Sequence, residues 1–391
     1  MKRLCLYLVL FLSLVLVFSP FTKQAVYASA EAKDNSESEL NITSKAGLLY
    51  DAKSNTIIYS KNSEERLPIA SMTKLASLML IFEAIDEGIL SEDTMIRVSK
   101  YAASVEGSSA FLDAGSEYKA GDLIMTVIVC SANDSTVALA ETVAGSEENF
   151  VRKMNEKAKE MGLKNTNFMN STGLPAVDHY SSACDISKIY ATICDNKIYK
   201  KYSKIWMTEL IHPSKRKTDI VNTNRLIRTY EGCDSGKTGF TSEAGFCLSA
   251  SATRGGMRLI GVVIGADSSK TRFNEMANMF NYGFASYENK VIIEKDKAIA
   301  EAKVTNSKQK SVNVYPKEDF VKFIKKGEDF EYSLSFNLGS IKAPKQSEDG
   351  VGTLYVLDKN NIVVYETELV IRQDIEEIKI KDILKKIYTL I

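Results

Sequence analysis

The run from Ser71 to Glu87 is dense in Leu, Met, Ile, Phe and Ala and is apolar on most sides, with Gly88 closing it. A helix of this pattern is stable only when other elements surround it. The chain must therefore build layers around residues 71–87. Two further helical patterns, Ala120 to Val129 and Asp134 to Val143, are interrupted by the polar corner Cys130-Ser131-Ala132-Asn133. Ala46 to Tyr50 and Thr56 to Tyr59 read as strands of a hairpin, joined by the turn residues 51–55. Gly245 to Thr253 and Met257 to Gly265 read as a second, central hairpin turning at Arg254-Gly255-Gly256. The class is mixed α/β (α+β), helices with an antiparallel sheet.

With 391 residues and 45% hydrophobic content, the chain has material for two or three compact units. Lys2 and Arg3 precede the apolar run Leu4 to Phe18; Pro20 breaks it, and Ala28-Ser29-Ala30 offers small residues for cleavage. Residues 1–30 read as a secretory signal. The alternative, a retained anchor, meets a run short of the roughly 20 residues a span needs. Residues 31–43 are a polar, flexible lead-in. A catalytic unit over 44–288 gives way to alternating Lys/Glu-rich connectors and short strands (Tyr332 to Phe336, Gly352 to Leu357, Ile362 to Val370), a small all-β domain over 289–374.

The last segment, 375–391, is amphipathic. Ile380, Ile383, Leu384, Ile387, Tyr388, Leu390 and Ile391 share one arc of a helical wheel, opposite Lys381, Asp382, Lys385 and Lys386. It is too short to span a bilayer and is suited to lying in the interface, lysines toward anionic head groups. The competing reading packs it on the β domain.

Composition removes several classes of function. Fifty basic and fifty acidic residues leave no electrostatic footprint for nucleic acid. His179 and His212 are the only histidines, which leaves little for His-based metal sites or proton relays. Beyond the signal, five cysteines remain, at Cys130, Cys184, Cys194, Cys233 and Cys247; without paired C-x-x-C spacing they read as mostly buried thiols. No metal or cofactor is expected.

The chemistry lies in three short motifs. Ser71-Met72-Thr73-Lys74 opens the buried helix, and residues three apart share a face, so Lys74 Nζ can reach Ser71 Oγ. A poorly hydrated lysine loses basicity and can act as a general base toward serine. S-x-x-K also occurs at Ser116, Ser214 and Ser307, none of which opens a buried helix. Ser131 and Asn133 either project a hydroxyl and an amide into a cleft or simply cap a helix. Lys237-Thr238-Gly239 leads toward the Gly245 strand. A cation and a hydroxyl there suit a substrate carboxylate, and Gly239 permits close approach of a substrate backbone. An ordinary turn is the alternative.

In their order and setting, S-x-x-K, S-x-N and K-T-G resemble the signature motifs of the penicillin-recognising serine acyl-transferases. Ala70 to Lys74, Gly173-Leu174-Pro175 with His179-Tyr180-Ser181-Ser182-Ala183, and Ser235 through Gly245 narrow the resemblance to the low-molecular-mass penicillin-binding proteins that are D-alanyl-D-alanine carboxypeptidases (peptidase family S11). The resemblance implies a β-lactamase/transpeptidase-like domain and removal of the terminal D-alanine from peptidoglycan stem pentapeptides. It makes Ser71 the acylated nucleophile, Lys74 its base and Ser131 a proton carrier toward the leaving D-alanine, with Lys237 nearby. Asn133 would hold the peptide amide and Thr238 the carboxylate, which Arg272, placed at the end of the strand pair, would orient. The N–H groups of Ser71 and Phe240 would form the oxyanion hole. The implied partners are the stem peptide, β-lactams as covalent inhibitors and a membrane surface, and the implied place is the extracytoplasmic face, in cell-wall biogenesis.

Cys184 departs from the family, standing where relatives often carry Arg in an S-T-A-R-D segment. A triad through His179 lacks a G-x-S-x-G elbow. A serine β-lactamase is the nearest rival, but no E-x-x-x-N follows between Asn133 and Lys237, and the β domain argues against it. A silent peptidoglycan-binding scaffold is the other, and needs neither Ser71 nor Lys74.

Overall fold

The structure, a computed structural model, describes residues 40–381. The signal segment, nearly all of the lead-in and, from residue 382 onward, the segment expected to be an amphipathic anchor lie outside the described residues.

Strands β1 (Ala46–Asp51) and β2 (Ile57–Lys61) form the first hairpin. A 3-10 turn, Ala70–Thr73, then feeds helix α1 (Lys74–Asp86). The sequence predicted one helix from Ser71; instead Ser71 sits in the tighter turn, because Ala70 enters with a left-handed φ of 47° and Met72 N–H bonds back to Ile69 O. Helix α1 is buried on almost all sides. Around it stand β3 (Met95–Arg97), α2 (Lys100–Ser104), β4 (Glu117–Lys119), α3 (Ala120–Val129), α4 (Asn133–Ala144), α5 (Glu147–Glu160), α6 (Ala183–Ile193) and α7 (Lys197–Ser203). β5 (Met207–Ile211), β6 (Lys217–Val221) and the short α8 (Leu226–Thr229) lead to β7 (Cys233–Thr241), β8 (Gly245–Arg254), β9 (Met257–Ala266) and α9 (Ser269–Ser286).

The main sheet is antiparallel, in the order β2-β1-β9-β8-β7. Its period-two alternation divides the core. Leu48, Tyr50, Ile260 and Val262 face the helical cluster around α1, whereas Leu49, Leu259 and Val263 face Met276, Met279 and Phe280 of α9. β8 and β9 are the central hairpin the sequence predicts, and both are almost fully buried.

Beyond α9 the described elements as far as Val370 are all strands. β10 (Tyr287–Ile293) pairs with β13 (Phe320–Lys325). A six-stranded sheet, in the order β14-β16-β17-β12-β11-β15, is built from β11 (Ala300–Thr305), β12 (Ser311–Pro316), β14 (Tyr332–Leu338), β15 (Ile341–Lys342), β16 (Gly350–Asp358) and β17 (Val363–Val370). Its core includes Val314, Leu354, Val356 and Leu369, and also Ile375, whose backbone pairs with Lys345.

β7 is a sheet edge, and its free side is packed against the 70–73 turn. A Cβ on Gly239 would lie 2.8 Å from Ile69 O and 3.2 Å from Ser71 N. The bare α-carbon thus admits the chain's own serine turn on that side. Gly239→Ala is expected to lower unfolding free energy by about 1–3 kcal/mol through overpacking; an unchanged urea midpoint would show that the turn is not clamped there.

Candidate active site

The site forms where three segments meet: the serine turn, the corner between α3 and α4, and edge strand β7. Lys74 Nζ lies 3.0 Å from Ser71 Oγ and donates to Thr172 O at 2.6 Å. Lys74 is completely buried, and burial first, then the charge of Lys237, holds its pKa well below the ordinary lysine value. Lys237 is also completely buried and donates to Ser131 Oγ at 2.7 Å and to Thr238 O at 2.9 Å. Burial brings its pKa down to about 7, with Arg272 adding to the lowering.

Ser131 and Asn133 do not cap α4. The N-cap is Ala132 and makes no side-chain bond. Ser131 instead takes a left-handed φ of 68°, uncommon for a residue with a Cβ, and presents its hydroxyl to Lys237. Asn133 Nδ2 donates to Glu106 O at 2.6 Å, while its buried Oδ1 has no partner. Asp134 stiffens the corner by accepting from the Ala110 and Leu112 amides and the Ser109 hydroxyl.

Lys237, Thr238 and Gly239 lie within β7 and not in a turn. The Phe240 ring is 54% exposed and stacks on Phe246 at 4.3 Å. Arg272 is placed differently from the sequence reading: it lies one turn into α9, past the strand end, because Ser268 caps that helix by accepting from Thr271 N–H. Its buried guanidinium donates to Gly239 O at 3.0 Å and to Cys247 O at 3.3 Å, bracing β7 and β8.

Sequence reasoning missed the wall behind Ser71. Gly173 has φ of 85°, and a Cβ there would collide with Ala70 O. Asn170 Oδ1 holds this bend by accepting from the amides of Thr172, Gly173 and Leu174. Asn170 three residues before a glycine was the available signal. His179 belongs to the same support. Its Nδ1 accepts from Met169 N–H, which leaves Nε2–H to donate to Thr73 Oγ1, whose own proton goes to Ala70 O. Burial holds its pKa down to about 4. His179 thus bonds to Thr73 and not to Ser71. Near Cys184, Asp185 supplies local support by accepting from Asn165 N–H and Thr166 Oγ1. The five described cysteines are free; two are buried and three only partly, against the expectation of mostly buried thiols.

Residues 33–268 match the peptidase S11 family, D-alanyl-D-alanine carboxypeptidase. The chain belongs to this family. Residues 287–377 match the C-terminal domain of penicillin-binding protein 5. The chain is 38% identical to D-alanyl-D-alanine carboxypeptidase DacF of Bacillus subtilis (strain 168) over 96% of its own length and 95% of the relative's. Among solved structures it resembles penicillin-binding protein 5 of Haemophilus influenzae, at 32% identity and a TM-score of 0.66 over 86% of this chain and 98% of that one. A penicillin-binding protein 3 of Streptococcus pneumoniae, at 26% identity, gives a TM-score of 0.70 over 86% and 100%. The protein is a serine-type D-alanyl-D-alanine carboxypeptidase of cell-wall metabolism, and the readings as a β-lactamase or silent scaffold give way to it.

The two lysines repel each other, so neutralising Lys237 should raise the pKa of Lys74. In Lys237→Gln, the Lys74 titration followed by the NMR shift of its 13C-labelled ε-carbon is expected to move to higher pH. An unmoved titration would show that the two ammonium groups are not coupled.

Proposed function

We propose that Ser71 is the nucleophile that forms the acyl-enzyme and that Lys74 is its general base. The observation that carries this reading is a buried amine of lowered basicity, 3.0 Å from the serine oxygen. A neutral amine has two N–H bonds and one lone pair. With one N–H given to Thr172 O, the lone pair is free to take the proton of Ser71 Oγ. Ser71 Oγ then attacks the carbonyl of the penultimate D-alanine.

The oxyanion would be met by the backbone N–H groups of Ser71 and Phe240, each such donor worth about 3 kcal/mol. The 3.2 Å separation of Ser71 N from the Cβ position of Gly239 supports this pairing, since it brings the two backbones side by side. Ser131, charged through Lys237, passes a proton to the departing nitrogen. Asn133 Oδ1, buried without a partner, accepts from the substrate's amide N–H. Thr238 bonds the terminal carboxylate, and Arg272 supplies positive charge behind it through the carbonyl of Gly239. Gly239 keeps strand and serine turn in contact. Water hydrolyses the ester.

Incubation with penicillin is expected to leave the drug on the digest peptide containing Ser71. A stem pentapeptide should release D-alanine, and Ser71→Ala should lose both reactions while melting normally. An adduct on another serine would reject the assignment.

The same reading places the enzyme outside the cytoplasmic membrane, delivered by the signal over 1–30, with catalysis over 44–288 and the β domain over 289–374, and held at the surface by the amphipathic segment of 375–391. No helix among the described residues is long and apolar enough to cross a membrane. Ile380, the one apolar residue of the wheel within the described residues, is 77% exposed. Ile375, in contrast, is 2% exposed in the β-domain core, and Ile378 N–H bonds to Asn306 O. The severable part therefore begins beyond them. Truncation after Lys379 should release active enzyme from membranes, and continued co-sedimentation would reject the anchor.

A further inference from the structure

The β domain has a concave site of its own, of about 250 Å³. Of its eight lining residues only Val312 lacks a polar side chain. The lining follows from strand alternation. Val312 and Val314 of β12 belong to the β-domain core, so Ser311, Asn313 and Tyr315 lie on the opposite, outer face. β11 sets Glu301 directly across from Asn313. Arg372 and Gln373, just past β17, and Gln309, between β11 and β12, complete the lining.

The bonds already made within this site narrow what it can take. Its charges are answered from inside the chain. Arg372 gives Nη1 to Asp296 Oδ1 at 2.6 Å and Nη2 to Lys295 O at 2.9 Å, and Glu301 Oε1 accepts the Ser311 hydroxyl. An ion of either sign therefore gains little here. A peptide added as a further strand finds no open backbone, because β12 is an interior strand between β17 and β11.

The groups left uncommitted are neutral. The carboxamides of Asn313 and Gln373 and the hydroxyl of Tyr315 make no hydrogen bond among the described residues. Gln309 Nε2 donates to Ser311 O, which leaves its Oε1 as an acceptor. A carboxamide offers two N–H donors beside a carbonyl acceptor, and a phenol both donates and accepts. The Arg372 guanidinium, 5.1 Å from the Tyr315 ring centroid, holds that ring in place. A ligand that matches this set is uncharged and carries donors and acceptors around its whole rim, as the hydroxyl and acetamido groups of an amino sugar do. The volume falls below the roughly 300–1,000 Å³ of clefts that enclose drug-sized molecules, so it suits one ring of a chain that continues into solvent.

We propose that this outer face of the β domain binds the glycan of peptidoglycan, one N-acetylated amino-sugar unit seated among Asn313, Tyr315 and Gln373. Stem peptides hang from that same glycan. Holding the strand turns the next capture of a peptide into an intramolecular event, which raises its effective concentration without any new contact at Ser71.

The test uses the full enzyme with three probes: a peptide-free oligosaccharide of N-acetylated amino sugars cut from the glycan, a free stem pentapeptide, and intact glycan bearing pentapeptides. Isothermal titration should detect binding of the oligosaccharide. Asn313→Ala with Gln373→Ala, both exposed positions, should weaken it about tenfold through the lost hydrogen bonds. Melting and turnover of the free pentapeptide are expected to stay unchanged, while kcat/KM on the glycan-linked substrate falls about three- to tenfold. An oligosaccharide that does not bind, an affinity untouched by the double substitution, or an equal loss on free and glycan-linked pentapeptide would each overturn the inference. Failure of the acyl-transfer reading is a different result: no D-alanine from either substrate, with oligosaccharide binding retained.

Discussion

Lys74 and Lys237 are both completely buried, and neither has a carboxylate within ion-pair distance among the described residues. Two ammonium ions in such a place would cost many kilocalories per mole, so the fold must neutralise them or supply dipoles. It does both. The carbonyls of Thr172 and Thr238 and the hydroxyls of Ser71 and Ser131 take up the N–H bonds, and the basicity of both amines falls. The surrounding architecture follows from holding these acceptors in place: the 3-10 turn presents Ser71, the corner before α4 presents Ser131, and the edge strand carries Thr238.

Two of the left-handed non-glycine residues among the described residues lie at or beside these acceptors. Ala70 and Ser131 both take left-handed backbone angles that a residue with a Cβ adopts at a cost of about 1–3 kcal/mol. In each case the neighbouring packing fixes the outcome. Ala70 is clasped between Gly173 and Gly239, two positions where a side chain would not fit, and its carbonyl receives the Thr73 hydroxyl that His179 orients. Ser131 is held from the other side by Lys237. The chain has placed its glycines opposite the strained turn and not within it, so the serine keeps a rigid setting.

What the sequence made legible was whatever has a local period. The burial of α1, the break between α3 and α4, the β8–β9 hairpin and the change to an all-β texture each follow from spacing that adjacent residues enforce on one another. Interactions that depend on tertiary approach were not readable. Ser71 lies in a tight turn and not a regular helix because Ala70 is bent by contacts more than 100 residues away in sequence, at Gly173 and Gly239. Arg272 was misplaced because the Ser268 cap begins a helix where the pattern read strand end. The amide of Asn133 resembled a cap and is instead oriented by Glu106 O, a carbonyl with no signature in side-chain sequence.

The cations of the site act on one another in sequence. Lys74, beside the proposed nucleophile, is held well below the ordinary lysine value by burial and then by the charge of Lys237. Lys237, one step further, stands at about 7, and in turn feels Arg272. Arg272 stands at about 10 and feels Arg225. Each charge thus disfavours protonation of the one nearer Ser71. Burial first, and then the charge of Lys237, disfavour the protonated form of the amine beside Ser71, which is what the proposed role of general base requires of it.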